Sequence, residues 1–415
     1  MDANILLADA FLFTAACGCV YAGSRASLKM PREARRALRK AEGSDEASDD
    51  EDEAEVERIT REEAMWMPIL GSVMLLGLFF AVKFLDPATL ALVLSVYFGM
   101  VGVAGLTHLG ALLMRAVVPR ARWRGLTRWT YALHYGEEEW FRLRFTNLHI
   151  VAFALSFAIC ALYYHTRRWE LSNVLAAALA FNGICVVKLD SFMTGIVLLA
   201  GLFFYDIWFV FLSPGDVMVT VAKGIDGPIK LTWPRELLDY SKGFAMLGLG
   251  DIVVPGLVVA IALRFDYALA LKRADGRPPS PSSRYPRRYF RACLAGYVIG
   301  LATTFAVMHV FHAAQPALLY LSPACALAPV LTAMARGELA ELWAYQDGEA
   351  DEKEAADKKA AADEKRSDAD RSDNHAPASD ADAAVQAPSA EADAGERAGA
   401  AETEGPRRRS KRLQK

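Results

Sequence analysis

Over most of its length the sequence lacks mixed charge. Acidic and basic residues crowd into about three stretches, and between them run long segments almost free of either. A run of 18 or more apolar residues reads as a membrane helix, because about 20 residues at 1.5 Å each cross the hydrocarbon layer. A purely soluble fold is therefore excluded. The formal net charge of −3 averages unlike segments and carries no information about partners. Nothing points to nucleic acid. Cysteine is also sparse. The six residues, Cys17, Cys19, Cys160, Cys185, Cys293 and Cys325, each lie in or beside an apolar run. They form neither metal-ligand spacing nor a secreted disulfide framework, so they read as small buried apolar residues. No metal and no cofactor are expected. The sequence also has no N-x-S/T sequon, so glycosylation gives no guide to topology.

What is present is a series of nine candidate spans, at residues 4–23, 66–85, 88–114, 148–164, 172–189, 191–212, 244–264, 290–312 and 316–335. The expected fold is an all-α membrane protein of nine transmembrane helices, since helices satisfy their own backbone in lipid. The first span has Asp2 before it and Arg25, Lys29, Arg32, Arg35, Arg36, Arg39 and Lys40 after it. A cleaved signal peptide wants the positive charge first, so this order favours a retained helix with its N-terminus outside. Residues 115–147 and 265–289 are rich in Arg and fall on the cytosolic side of that arrangement, although Arg167 and Arg168 go against it. The expected organisation is a first helix over 1–23, with a lumenal N-terminus. A basic then acidic cytosolic loop, largely disordered, follows over 24–65. Helices two to five lie within 66–189, helices six to nine within 190–345, and a disordered cytosolic tail fills 346–415. The acidic stretch 42–57 and the Ala, Asp, Glu and Ser-rich stretch 347–406 hold too little apolar surface to offset chain entropy.

Two carboxylates stand out. Span six reads Gly201-Leu202-Phe203-Phe204-Tyr205-Asp206-Ile207-Trp208, and span seven reads Gly248-Leu249-Gly250-Asp251-Ile252-Val253. A charge at mid-membrane is expensive, so such residues are functional candidates by default. Taken singly, each is equally well a helix-to-helix hydrogen bond. Together, on consecutive antiparallel spans, they come to matching depth, about 10 Å below one surface by helix rise. Two carboxylates forced together share a proton, and such a pair can activate water and protonate a carbonyl. Gly248 and Gly250 leave the backbone beside Asp251 open to close approach. Pro316, ahead of Ala317 and Leu318, fits a helix start. Asp9, Lys83, His108, Lys188 and Asp190 lie in or at the ends of spans and read as snorkelling or interhelical bonding residues.

Tyr205-Asp206, Gly248-Leu249-Gly250-Asp251 and Pro316-Ala317-Leu318, in that order on nine spans, resemble the presenilin and signal peptide peptidase superfamily of intramembrane aspartyl proteases. The longer stretches 216–223, 244–251 and 315–321 are more similar to the signal peptide peptidase branch than to presenilin. The resemblance spans roughly residues 60–345. It implies a presenilin-like fold in which Asp206 and Asp251 are catalytic. Tyr205, Gly248, Leu249, Gly250, Pro316, Ala317 and Leu318 would then be substrate-contacting. It further implies cleavage of leftover signal peptides and other type II transmembrane helices in the endoplasmic reticulum membrane. The partners would be those segments and the bilayer, with room for a homo-oligomer. The C-terminus Lys411-Arg412-Leu413-Gln414-Lys415 departs from the two-lysine retrieval signal common in that family. Residues 213–243, between spans six and seven, are short for a presenilin loop and prone to strand at Val217–Ala222 and Ile229–Trp233. The alternative is an ion-coupled transporter using the two aspartates as ligands. It would more often show an inverted repeat, and the sequence has none.

Overall fold

The computed structural model describes residues 3–30, 34, 58–84, 86–118, 128–135, 138–209, 227–236, 243–274, 279, 283–311 and 316–348. Nine long helices occupy them: α1 (Ala3–Ser27), α2 (Arg61–Phe84), α3 (Pro87–Val117), α4 (Asn147–Thr166), α5 (Trp169–Val186), α6 (Phe192–Ile207), α7 (Gly250–Lys272), α8 (Arg288–Phe311) and α9 (Leu318–Arg336). A short α10 (Leu339–Ala344) follows. Eight of the nine are long and apolar enough to cross a membrane, and α6 is a shorter apolar helix of 16 residues. The chain is thus a multi-pass membrane protein. Large apolar side chains such as Leu70, Met74, Phe84, Met100 and Ile299 face outward, as a lipid-facing surface requires.

Local sequence explains the helix ends. Asp86 caps α3 by accepting from the Thr89 amide at 3.2 Å, and Pro87 takes the first position, where no amide is needed. Ser191 caps α6 through the Thr194 amide. Gly337 closes α9 in the left-handed conformation at φ 67°. Gly296 and Gly300, one turn apart on α8, pack on the backbone of α9 at Ala324 and Leu321. No larger residue fits that approach.

The centre of the bundle is α7. Its most apolar window is 83% buried, against 0% for α2. Val20 and Ser27 of α1 meet Gly256 and Arg264 of α7, so these two helices run in the same direction. Cys19 and Gly23 meet Ala177 and Ile184, so α5 also shares that direction.

Among the described residues three small sheets interrupt the helices. Strand β1 (Arg58–Ile59) pairs in parallel with β4 (Lys188–Leu189). Strands β2 (Arg128–Tyr135) and β3 (Glu138–Thr146) form an antiparallel hairpin within the Arg-rich stretch 115–147, where no strand was expected. Strands β5 (Lys230–Pro234) and β6 (Phe244–Gly248) pair antiparallel, with Thr232 opposite Met246. The strand expected at Ile229–Trp233 is therefore present, and the one expected at Val217–Ala222 lies outside the described residues.

Strand β6 corrects one expectation. Residues 244–248 were assigned to span seven as helix, but they are extended. The sequence Phe-Ala-Met-Leu is apolar enough for either state. Its strand state is set by the partner β5 and by the glycines at 248 and 250, which weaken any helix across them. The helix begins at Gly250 and runs to Lys272, eight residues beyond the expected end. Arg264 and Asp266 are consequently interior side chains, 5% and 3% exposed. Arg264 pairs with Asp347 at 3.0 Å. Asp266 accepts from the amides of Tyr289 and Phe290 at the start of α8.

Candidate active site

Asp206 is the last residue but one of α6 and is only 4% exposed. Immediately after it the helix widens into a π turn at Trp208 and Phe209. Asp251 is the second residue of α7 and half-buried. The two helices pack together, with Gly195 against Val258. Going from Gly195 to Asp206 runs up α6 while going from Val258 to Asp251 runs down α7. The helices are antiparallel and bring the carboxylates to one level, near enough for their charges to act on each other.

Val253 packs on Gly183, fourteen residues into α5, and α5 runs the same way as α7. At 1.5 Å per residue, Asp251 stands about 18 Å from the plane where α5 begins. The estimate of about 10 Å counted Phe244–Gly248 as helix, and that stretch is extended. The outer half of the α7 column is filled by the β5–β6 hairpin instead. The Trp233 ring lies tilted against Phe11 of α1 at 4.3 Å and meets Trp169 of α5 edge to face at 5.2 Å. Non-helical backbone at membrane depth is tolerated only when buried in protein or lining a cavity, and these contacts bury it.

Asn173 holds the hairpin in place, and sequence reasoning missed it. Its Nδ2 donates to the Thr232 carbonyl at 2.6 Å, and the Thr232 amide donates to its Oδ1 at 2.8 Å. The only available signal was an asparagine, one of two in that apolar span. The Leu249 amide donates to the Ile229 carbonyl and the Arg235 amide to the Gly243 carbonyl. Odd-numbered residues of β5 thus bond across the ladder. Even-numbered ones turn outward, where Asn173 takes up Thr232. By the same alternation Met246 and Gly248 turn their backbone groups away from β5, on the edge of β6 nearest Asp251 in sequence.

The remaining expected residues fall as follows. A Cβ on Gly248 would stand 3.5 Å from Asp251 Oδ2, so this glycine borders the carboxylate. A Cβ on Gly250 would meet no heavy atom within 4 Å, so Gly250 is not where α6 makes its close approach. Leu249 packs on the core. The Tyr205 ring lies against Phe209 at 4.7 Å and turns toward Gly71 of α2. Pro316, Ala317 and Leu318 are buried at the start of α9, which packs on both α6 and α7. Ala317 and Leu318 join Ile252 and Leu247 in one apolar cluster. The carbonyls of Pro316 and Ala317 already accept from the amides of Leu319, Tyr320 and Leu321. Gly248 and the two aspartates thus come together, and Pro316–Leu318 lies buried at the start of a helix that packs on both of theirs. Among the described residues no cluster could hold a metal ion.

The sequence of residues 51–349 matches the family model described as signal peptide peptidase. The chain belongs to the signal peptide peptidase family. The chain is 38% identical to the mouse signal peptide peptidase over 298 residues, which cover 70% of this chain and 74% of the relative. It is 36% identical to a probable intramembrane protease of Schizosaccharomyces pombe over 306 residues, covering 74% and 90%. It is 43% identical to intramembrane protease 2 of Caenorhabditis elegans over 213 residues, covering 50% and 44%. It is an intramembrane peptidase of the aspartic class. Two interior polar residues read as interhelical bonds are such bonds: Asp9 pairs with His309 at 3.1 Å, and His108 bonds to Asn182.

Proposed function

We propose that Asp206 and Asp251 are the catalytic pair, and that the substrates are signal peptides and other type II transmembrane helices in the endoplasmic reticulum membrane. The observation that carries this reading is the meeting of the two carboxylates at mid-bundle, beside a strand edge. Two carboxylates brought close together hold one proton between them. The ionised carboxylate takes a proton from water as the water attacks the scissile carbonyl. The protonated one donates to the carbonyl oxygen, giving a gem-diol. Collapse of that intermediate returns a proton to the leaving amine.

A helix shields its own peptide bonds, so a substrate must unwind before water can reach a carbonyl. The outward backbone groups of Met246 and Gly248 offer an unwound segment a ladder to pair with, directly before Asp251. The strand-prone stretch Val217–Ala222 lies outside the described residues, and the carbonyls of Pro316 and Ala317 are already bonded within α9. Strand β6 is the edge adopted here. Gly248, next to the Asp251 carboxylate, keeps that approach open, and Pro316, Ala317 and Leu318 close the floor of the site.

A hydroxyl-bearing peptidomimetic that imitates the gem-diol tests the reading. It should bind the wild type at least about tenfold more tightly than Asp206→Ala or Asp251→Ala, since each variant loses bonds made only to that geometry. Equal binding to all three would remove the pair from the mechanism.

A further inference from the structure

At the end of the bundle opposite the aspartates, the C-terminal ends of α7 and α9 meet the start of α8 around a cavity of about 280 Å³. Its lining includes four arginines, Arg273, Arg284, Arg288 and Arg336, against two acids, Asp266 and Glu338. The acids are already engaged. Asp266 accepts from the amides of Tyr289 and Phe290 at 3.2 and 2.8 Å. Glu338 accepts from Arg336 at 2.8 Å, from Arg273 at 3.1 Å and from the Tyr289 hydroxyl at 2.8 Å. Arg284 and Arg288 are exposed and have no ion-pair partner among the described residues. The site therefore carries two formal positive charges in excess, held on a frame whose own acids cannot move to neutralise them.

We propose that this cavity binds a phosphate-bearing anion, with Arg284 and Arg288 as its principal contacts. Guanidinium groups present paired donors that match the oxygens of a phosphate. The cavity is many times the space a single water needs, so a polyol phosphate or a headgroup fits within it. Its position argues for the source. Lys272 ends α7, Arg288 starts α8 and Arg336 ends α9, so the mouth lies where apolar helix gives way to polar chain. That is the level at which lipid phosphates sit, and basic pockets between helices at a membrane face take anionic headgroups. The sequence showed only a scatter of arginines in 265–289. The fold gathers three of them with Arg336, some fifty residues further on.

The test uses the full-length protein purified in a neutral detergent. Binding of dioctanoyl phosphatidic acid, glycerol 3-phosphate and dioctanoyl phosphatidylcholine is measured by titration. Three proteins are compared: wild type, Arg284→Ala/Arg288→Ala, and Arg61→Ala as an exposed arginine elsewhere. Both substituted cavity residues are exposed, so the double variant should keep the wild-type elution profile and circular dichroism. The wild type and Arg61→Ala should bind phosphatidic acid saturably and alike, and the double variant at least about tenfold more weakly. Binding of phosphatidic acid without glycerol 3-phosphate identifies a lipid headgroup. Comparable binding of both identifies a soluble phosphate ester. No saturable binding by the wild type, equal affinity in all three proteins, or equal binding of phosphatidylcholine overturns the proposal.

Discussion

Asp206 and Asp251 were legible as residues because a carboxylate in an apolar run has few roles. Replacing either with Ala should lower turnover by at least about 10³-fold, the scale of a lost general acid or base, while size-exclusion profile and helicity stay unchanged. Activity near wild type in either variant would take that residue out of the site. Asn173 was not legible, since an asparagine in a span is usually an ordinary interhelical bond, as its neighbour Asn182 is. Its role needs β5 in position, and β5 lies some sixty residues away. Asn173→Ala strips the partners from the Thr232 amide and carbonyl, which costs about 1–3 kcal/mol. The variant should show a lower Tm and a larger proportional loss of turnover than of folded protein. Unchanged turnover at a lowered Tm would make Asn173 a stabilising contact only.

At the scale of elements, the helices were read well, because a run of about 20 apolar residues has one solution in lipid. The apolar stretch Phe244–Gly248 was misread for the same reason. It carries a span-like composition, and only its pairing with β5 shows it to be a strand. Composition cannot separate a buried strand from the end of a buried helix. If the β6 edge receives substrate, Met246→Pro should impair cleavage, since proline removes the outward amide while leaving the bonds to β5 intact. The defect should shrink on a substrate that already carries a helix-breaking residue near its scissile bond. The same loss on both substrates would point to a damaged hairpin instead. Leu318→Gly should impair turnover by opening the buried start of α9, which packs on α6 and α7. Wild-type rates in both variants would leave the hairpin as a connector.

Across the whole molecule, the two ends of α7 do different work. The N-terminal end holds the carboxylate pair, and the far end is tied to α8 and α9 through Asp266 and Glu338. Bonds from Arg336 and Tyr289 hold the Glu338 carboxyl down at about 2, below its ordinary 4.5. Its folded value lies below its unfolded one, so its contribution is full above about pH 4.5 and fades as pH falls toward 2. Glu338→Gln should therefore lower Tm at pH 7, with the gap to wild type narrowing between pH 4.5 and 2. A gap independent of pH would mean that the charge is not what counts. Orientation is tested by tags: those at the N-terminus and at residue 239, in the stretch that links β5 to β6, should share one side, and those at residues 275 and 400 the other. The central claim is that this pair of aspartates hydrolyses a peptide bond inside a membrane helix. Its most direct measurement incubates the purified protein, in detergent, with a signal-peptide-like helix and follows the products by mass spectrometry. The account predicts cleavage within the apolar segment by the wild type and none by Asp206→Asn or Asp251→Asn. Product formed by either variant at the wild-type rate, or no product from the wild type, would contradict it.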